Sequence, residues 1–243
     1  MWNTFLFAMN TASWSAQLTD LFREAWAISV KDLMIEFRTR SAFLASIVFA
    51  LLAIVIFYFA WDPTAVTGVD LAPGVLWVVF TFSGLLGLHR SFGIEHDERA
   101  IDGLVASPIS RESIFLGKGI ANLVFVIAVQ AVAIPAVVLF YNLDIGLAVL
   151  PLAGIAVLAA IGLVAVGTLF SAMAANTRLA ELLLPMLSLP FFVPIILPAA
   201  QATAKILSGR PVGEVLSWFR LLVAFDIVFV VACTLAYPYT LEE

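Results

Sequence analysis

The stretch Arg90–Lys118, RSFGIEHDERAIDGLVASPISRESIFLGK, concentrates residues suited to gripping another protein. Glu95, Asp97, Glu98 and Asp102 supply acids, while Ile94, Ile101, Leu104 and Val105 form a short apolar stripe. Glu95 and Arg99 stand four apart, the spacing of a helical ion pair. Pro108 ends such a helix, because the residue before proline is pushed out of the helical region. Ser110 is placed to cap the helix that follows. A short helix of this kind fits docking into a groove on a partner, with the aliphatic residues as anchors. The plainer reading, and the one that charge pattern alone favours, is a solvated connector whose charges keep it out of lipid.

Other polar residues are isolated. Asp226 sits inside an otherwise uncharged run, either as a contact between helices or as an interfacial acid reaching water. Asn122 and Gln130 read as hydrogen-bonding partners for a neighbouring helix rather than as ligands for a substrate. His89 and His96 are the only histidines and Cys233 the only cysteine, so no disulfide and no cysteine–histidine metal cluster is expected. No G-x-x-x-x-G-K-[ST] phosphate loop occurs, and no serine–histidine or paired-carboxylate constellation is visible. The chain reads as non-enzymatic, with no directly bound cofactor.

The elements that position these residues belong in a membrane. Of 243 residues, 63% are hydrophobic and 12% charged, with a net charge of −5. A soluble domain is about 45–50% apolar and about 25% charged. The acidic balance argues against nucleic acid as a partner. A span needs about 20 apolar residues, and six runs qualify: the uncharged Ala42–Trp61, Ala72–Leu88, Gly119–Tyr141, a run near Leu150–Met173 and Leu182–Ala200, and Phe219–Tyr239, which carries Asp226 within it and Arg220 at its edge. With the N-terminus inside, nine basic residues fall on inner segments and three (Lys205, Arg210, Arg220) on outer ones. The positive-inside rule then places both termini in the cytoplasm.

Residues 1–19 carry no basic n-region and read as an extension without a cleavable signal. From 20 to 41, Phe22, Trp26, Leu33 and Phe37 share one stripe, and Asp20, Glu24, Lys31 and Arg38 another. That pattern predicts a helix lying in the inner interface, the alternative being a frayed tail. Span four, with Ala156 and Ala160 beside Gly154, Gly162 and Gly167, predicts close helix packing. Pro185, Pro190, Pro194 and Pro198 predict kinks or a broken end in span five, followed by re-entrant or interfacial helices over 198–217.

This order of parts resembles the export-type ABC transporter permeases: an interfacial elbow helix, two spans, an acidic loop ending in proline, and four more spans. More closely, the chain from about Ala27 onward resembles CcmB, the permease family of bacterial cytochrome c maturation. The pieces that carry the resemblance are Pro73–Trp77, Leu88–Arg90, the loop Glu95–Pro108 followed by Gly117-Lys118, Leu182–Pro185, Leu221–Asp226 and Leu241–Glu243. The first 20 or so residues depart from that family.

The resemblance implies an all-α permease domain over 42–243 in the bacterial inner membrane, with 90–118 as coupling loop. Its partners would be a CcmA-like ATP-binding subunit, CcmC-, CcmD- and CcmE-like proteins and a second permease copy. ATP would be hydrolysed in the partner, and haem would be a substrate of the complex. The work done would be haem export or release of a haem-loaded chaperone. With both histidines at the inner side, the mechanical role is favoured over a fixed haem site. An export permease for a lipid, glycan or drug, and a non-transporting scaffold, are the competing readings.

Overall fold

The computed structural model describes residues 2–97, 109–175 and 180–240, with side chains at 19–88, 109–174, 184–211 and 213–240. Among them are seven α-helices and one short 3-10 turn, with no strand. They are α1 (Trp2–Thr39), α2 (Ser41–Ala60), α3 (Gly68–Asp97), α4 (Arg111–Phe140), α5 (Val149–Ala175), α6 (Ala180–Leu207) and α7 (Val212–Thr240). Six segments are long and apolar enough to cross a membrane: Ser41–Ala60, Gly68–Leu88, Arg111–Phe140, Gly146–Ala174, Leu184–Leu207 and Gly213–Thr240. Each contains one of the six runs expected from hydropathy or most of it. Helix is the only form in which such isolated segments satisfy their backbone polar groups in lipid.

Local signals set the helix ends. Arg40 adopts the left-handed conformation, φ 54°, and so separates α1 from α2. Glu36 of α1 then caps α2, its Oε1 accepting from the Phe43 N–H at 2.9 Å. At the start of α3, Thr67 accepts from the Asp70 N–H at 3.3 Å and donates to the Asp70 carboxylate at 2.6 Å, a local form of N-terminal capping.

The helices cross alternately. One end of the bundle carries Arg40, the last turns of α3 and α5, the first turns of α4 and α6 and the C-terminal end of α7; it is called the loop end below. The other end carries 61–67, 141–148 and 208–211. Two helices form the centre: 72% of the apolar window of α3 and 56% of that of α5 are buried, against 17% for α7. Trp77, Val79 and Phe80 of α3 and Ile155, Ala159 and Leu163 of α5 are core residues. α2 flanks α3 and α4, while α6 and α7 pack on α5. Small residues on α5 let its neighbours approach, as the small-residue pattern predicted: Ala156 and Ala160 are buried and a Cβ on Gly162 or Gly167 would clash with a neighbour, whereas one on Gly154 would meet nothing within 4 Å.

Two expectations change. First, one helix, α1, runs from Trp2 through what the sequence divides into an extension (1–19) and a helix from 20. Of the aromatic stripe, Phe22, Trp26 and Phe37 are 63%, 65% and 72% exposed. Leu33 is half-buried. Second, 198–217 forms no re-entrant or separate interfacial helix. α6 continues through all four prolines to Leu207, and α7 starts at Val212.

The prolines are tolerated because α6 is embedded against α3, α5 and α7. Ser188 donates to the Leu184 carbonyl at 2.6 Å and Thr203 to that of Ala199 at 2.8 Å. Thr203 in turn accepts from the Trp77 indole of α3 at 3.1 Å. Beyond Leu207, the backbone N–H of Arg210 returns to the Lys205 carbonyl at 2.9 Å, and Gly209 takes φ +66°. That is a glycine-closed helix C-terminus.

Candidate coupling interface

The 30 residues of α3 extend about 45 Å, against about 30 Å of hydrocarbon. Its last turns, bearing His89, Arg90, Glu95, His96 and Asp97, therefore project past the membrane-length segment at the loop end. Glu95 and Asp97 are on this helix. Glu98, Ile101, Asp102, Leu104, Val105 and Pro108 lie outside the described residues, as does the expected Glu95–Arg99 pairing. What the structure does place is the other stem of the loop.

That stem is Ile109, Ser110 and the first turns of α4. Ser110 is the N-cap the sequence predicts: its Oγ accepts from the Ser113 N–H at 3.1 Å. α1 lies across these turns and is fixed to them repeatedly. The Ser110 N–H donates to Glu24 Oε2 at 3.3 Å, and the Ser113 hydroxyl to the Leu21 carbonyl at 3.3 Å. Gly117 is required for this approach, since a Cβ there would come within 2.7 Å of the Ala25 carbonyl oxygen and 2.8 Å of Ile28 Cβ. One turn of contact later, the Lys118 ammonium meets Asp32 Oδ2 at 3.5 Å, while Lys31 meets Oδ1 at 3.0 Å. Lys118 is 1% exposed. A charge so buried is tolerated only with a partner of opposite sign.

The other side of α4 grips the end of α7. Arg111 Nη1 donates to the Pro238 carbonyl at 3.0 Å, a group that α7 leaves free near its C-terminus. The rings of Phe115 and Tyr237 lie 5.2 Å apart. The start of α4 is thus a hub joining the loop stem to α1 and α7. Beside it opens a groove of about 430 Å³ lined by Arg23, Glu24, Ala27, Ile28 and Lys31 of α1 and by Ile109. The sequence pattern marks Lys118 as an inner basic residue at the end of the loop and does not single out Asp32. The available signal was the pair of opposite charges at the margins of two apolar segments. Their pairing across 86 positions was not legible from periodicity.

Inside the bundle, Asn122 donates to Thr168 of α5 at 3.2 Å, which is the contact between helices expected of it. Gln130 is buried, but its Nε2 has no hydrogen-bond partner among the described residues. Asp226 is 5% exposed in the middle of α7 and abuts Gly162 of α5. It is therefore not an interfacial acid reaching outer water. Among the described residues no three of His, Cys, Asp and Glu are grouped as a metal site would require.

Residues 23–243 match the family model described as CcmB protein, and residues 1–22 lie outside that match. Three curated relatives, each called heme exporter protein B, resemble the chain. The one from Paracoccus denitrificans is 28% identical over 183 residues, covering 75% of this chain and 84% of the relative. That of Rhodobacter capsulatus is 26% identical over 179 residues, covering 74% and 82%. That of Pseudomonas aeruginosa is 27% identical over 202 residues, covering 77% and 84%.

Proposed function

The chain belongs to the CcmB family of membrane permeases, and from that membership we propose that it is the permease subunit of a haem-export ABC transporter, with ATP hydrolysed by a separate CcmA-like subunit. The loop end faces the cytoplasm of a bacterial cell, and both termini lie there. The observation that carries the coupling role is the hub at the start of α4. A partner that moves segment 98–108 pulls directly on Ser110 and Arg111, and through them on α1 and α7.

Two outputs are compatible with such a lever: haem export, and release of a haem-loaded CcmE-like chaperone from a CcmC-like partner, with a CcmD-like protein in the assembly. The second is favoured by the position of His89 and His96, both on the projecting end of α3 and far from the opposite face. A second permease copy completes the transporter.

Co-expression with the CcmA-like subunit and purification from membranes tests this reading. A stable complex whose ATPase activity depends on the permease is expected. A chain that purifies without the ATP-binding subunit under conditions that keep its six spans inserted would sink the proposal and leave a passive scaffold. An export permease for a lipid, glycan or drug would retain the ATPase but dispense with the haem chaperone.

A further inference from the structure

Three helices converge on one carboxyl group at mid-height of the bundle. Asp226 belongs to the buried seam of α7 formed with Leu222, Cys233 and Tyr237. Opposite it, α5 carries Gly162: a Cβ there would collide with Asp226 Oδ1 and come within 2.9 Å of Ile195 of α6. The missing side chain of Gly162 is what makes room for the carboxyl. Neither carboxyl oxygen has a hydrogen-bond partner among the described residues.

The charges on the surrounding elements are all engaged or remote. α5 has no ionisable residue along its length. On α6, Glu181 is in the first turn at the loop end, and Lys205, at the opposite end, pairs with Glu214 of α7 at 2.7 Å. On α4, Arg111 and Glu112 are in the first turn, Arg111 reaching Pro238, and Lys118 is bound to Asp32. Arg220 on α7 itself is exposed. Cys233 and Tyr237 follow along the same seam, about two and three turns away.

An ionised carboxylate without a partner at the centre of a bilayer is costly, by a few kcal/mol even on insertion scales. A buried acid escapes that cost by keeping its proton. We propose that Asp226 is a proton-binding site of this permease. Its carboxyl holds a proton while α7 is closed on Gly162 and releases it to water when the seam between α5 and α7 opens. In that step the O–H bond breaks, the electron pair stays on the carboxylate and the proton passes to water, so no further reactant is needed. The inference does not depend on what the transporter carries.

Infrared spectroscopy of the full-length chain in phosphatidylcholine vesicles tests it. Wild type should show the C=O stretch of a protonated carboxylic acid at neutral pH, shifted in D2O and lost in Asp226→Asn. Cys233, the sole cysteine of the sequence and a member of the same seam, reports opening. Its alkylation by a small uncharged maleimide should be severalfold faster in wild type than in Asp226→Asn at alkaline pH, and equal in the two at acidic pH. The thiol's own titration cancels in that ratio. Absence of the carboxylic acid band in wild type, its persistence in Asp226→Asn, or a ratio constant across pH overturns the proposal. Should Asp226→Asn fail to insert, wild type decides alone: the band must fade with rising pH, and a constant band is a negative result.

Discussion

Lys118, buried at the start of α4, holds its ammonium 3.5 Å from the carboxylate of Asp32 on α1. The pair spans the junction between a helix that crosses the membrane and one that lies outside the crossing set. Lys31 shares the same carboxylate at 3.0 Å from the more exposed side. The arrangement fixes both the height and the rotation of α1 on the loop stem.

Removing Lys118 strands Asp32 in a largely buried position. Breaking a buried ion pair by deleting one partner costs about 3–5 kcal/mol, and the remaining Lys31 places Lys118→Met below that range. The double variant Lys118→Met with Asp32→Leu should recover most of the loss, because two apolar groups replace a desolvated pair. Thermal unfolding in detergent and proteolysis of α1 would measure both. A double variant no more stable than the single one would show that the pair is not what seats α1.

Gly117 has no room for a side chain. Gly117→Val should push α1 off α4, since even a Cβ approaches the Ala25 carbonyl to 2.7 Å. Overpacking of this kind costs about 1–3 kcal/mol. The six spans should still insert, so the expected signature is selective cleavage within α1 and loss of ATPase coupling. Cleavage no faster than in wild type would show that α1 adjusts without detaching.

The orientation can be read directly. Reporter fusions after Glu243 and within 62–67 should fall on opposite sides of the membrane, the first cytoplasmic. The same side for both would invalidate the six-span count.

In the coupling loop, the apolar residues should carry the affinity. A buried aliphatic side chain contributes about 1.5–3 kcal/mol, whereas rim charge pairs contribute about 0–1 kcal/mol. Leu104→Asp should therefore detach the ATP-binding subunit or uncouple its hydrolysis, while Asp97→Asn should change little. Pull-down of the ATP-binding subunit with each variant, with membrane insertion as control, makes the comparison. Undiminished binding and activity in Leu104→Asp would leave the segment a plain connector.

The isolated permease should purify without stoichiometric haem, because neither histidine is on the face opposite the loop. An absorption band of haem that disappears in His89→Ala would contradict the mechanical reading.

Hydropathy alone determined the membrane class and the six crossing helices, because any apolar run of about 20 residues in lipid has one way to satisfy its backbone. The cap at Ser110 and the Asn122 contact were legible for a similar reason: both follow from a residue type at a local position. The exposed aromatic stripe of α1 was legible from its spacing.

What the sequence did not determine is how the helices meet. Periodicity marks a face as apolar or small but does not name the face opposite. Only the tertiary structure decided that Gly117 receives the Ala25 backbone, that Lys118 reaches Asp32 and that Asp226 settles against Gly162. It also decided the fate of the prolines of α6. Their local preference is to break a helix, and the expectation for 198–217 followed that preference. Packing on α3, α5 and α7 prevails instead. In lipid a freed backbone group has no water to turn to, so the neighbours that surround a helix, rather than its own sequence, settle whether it continues.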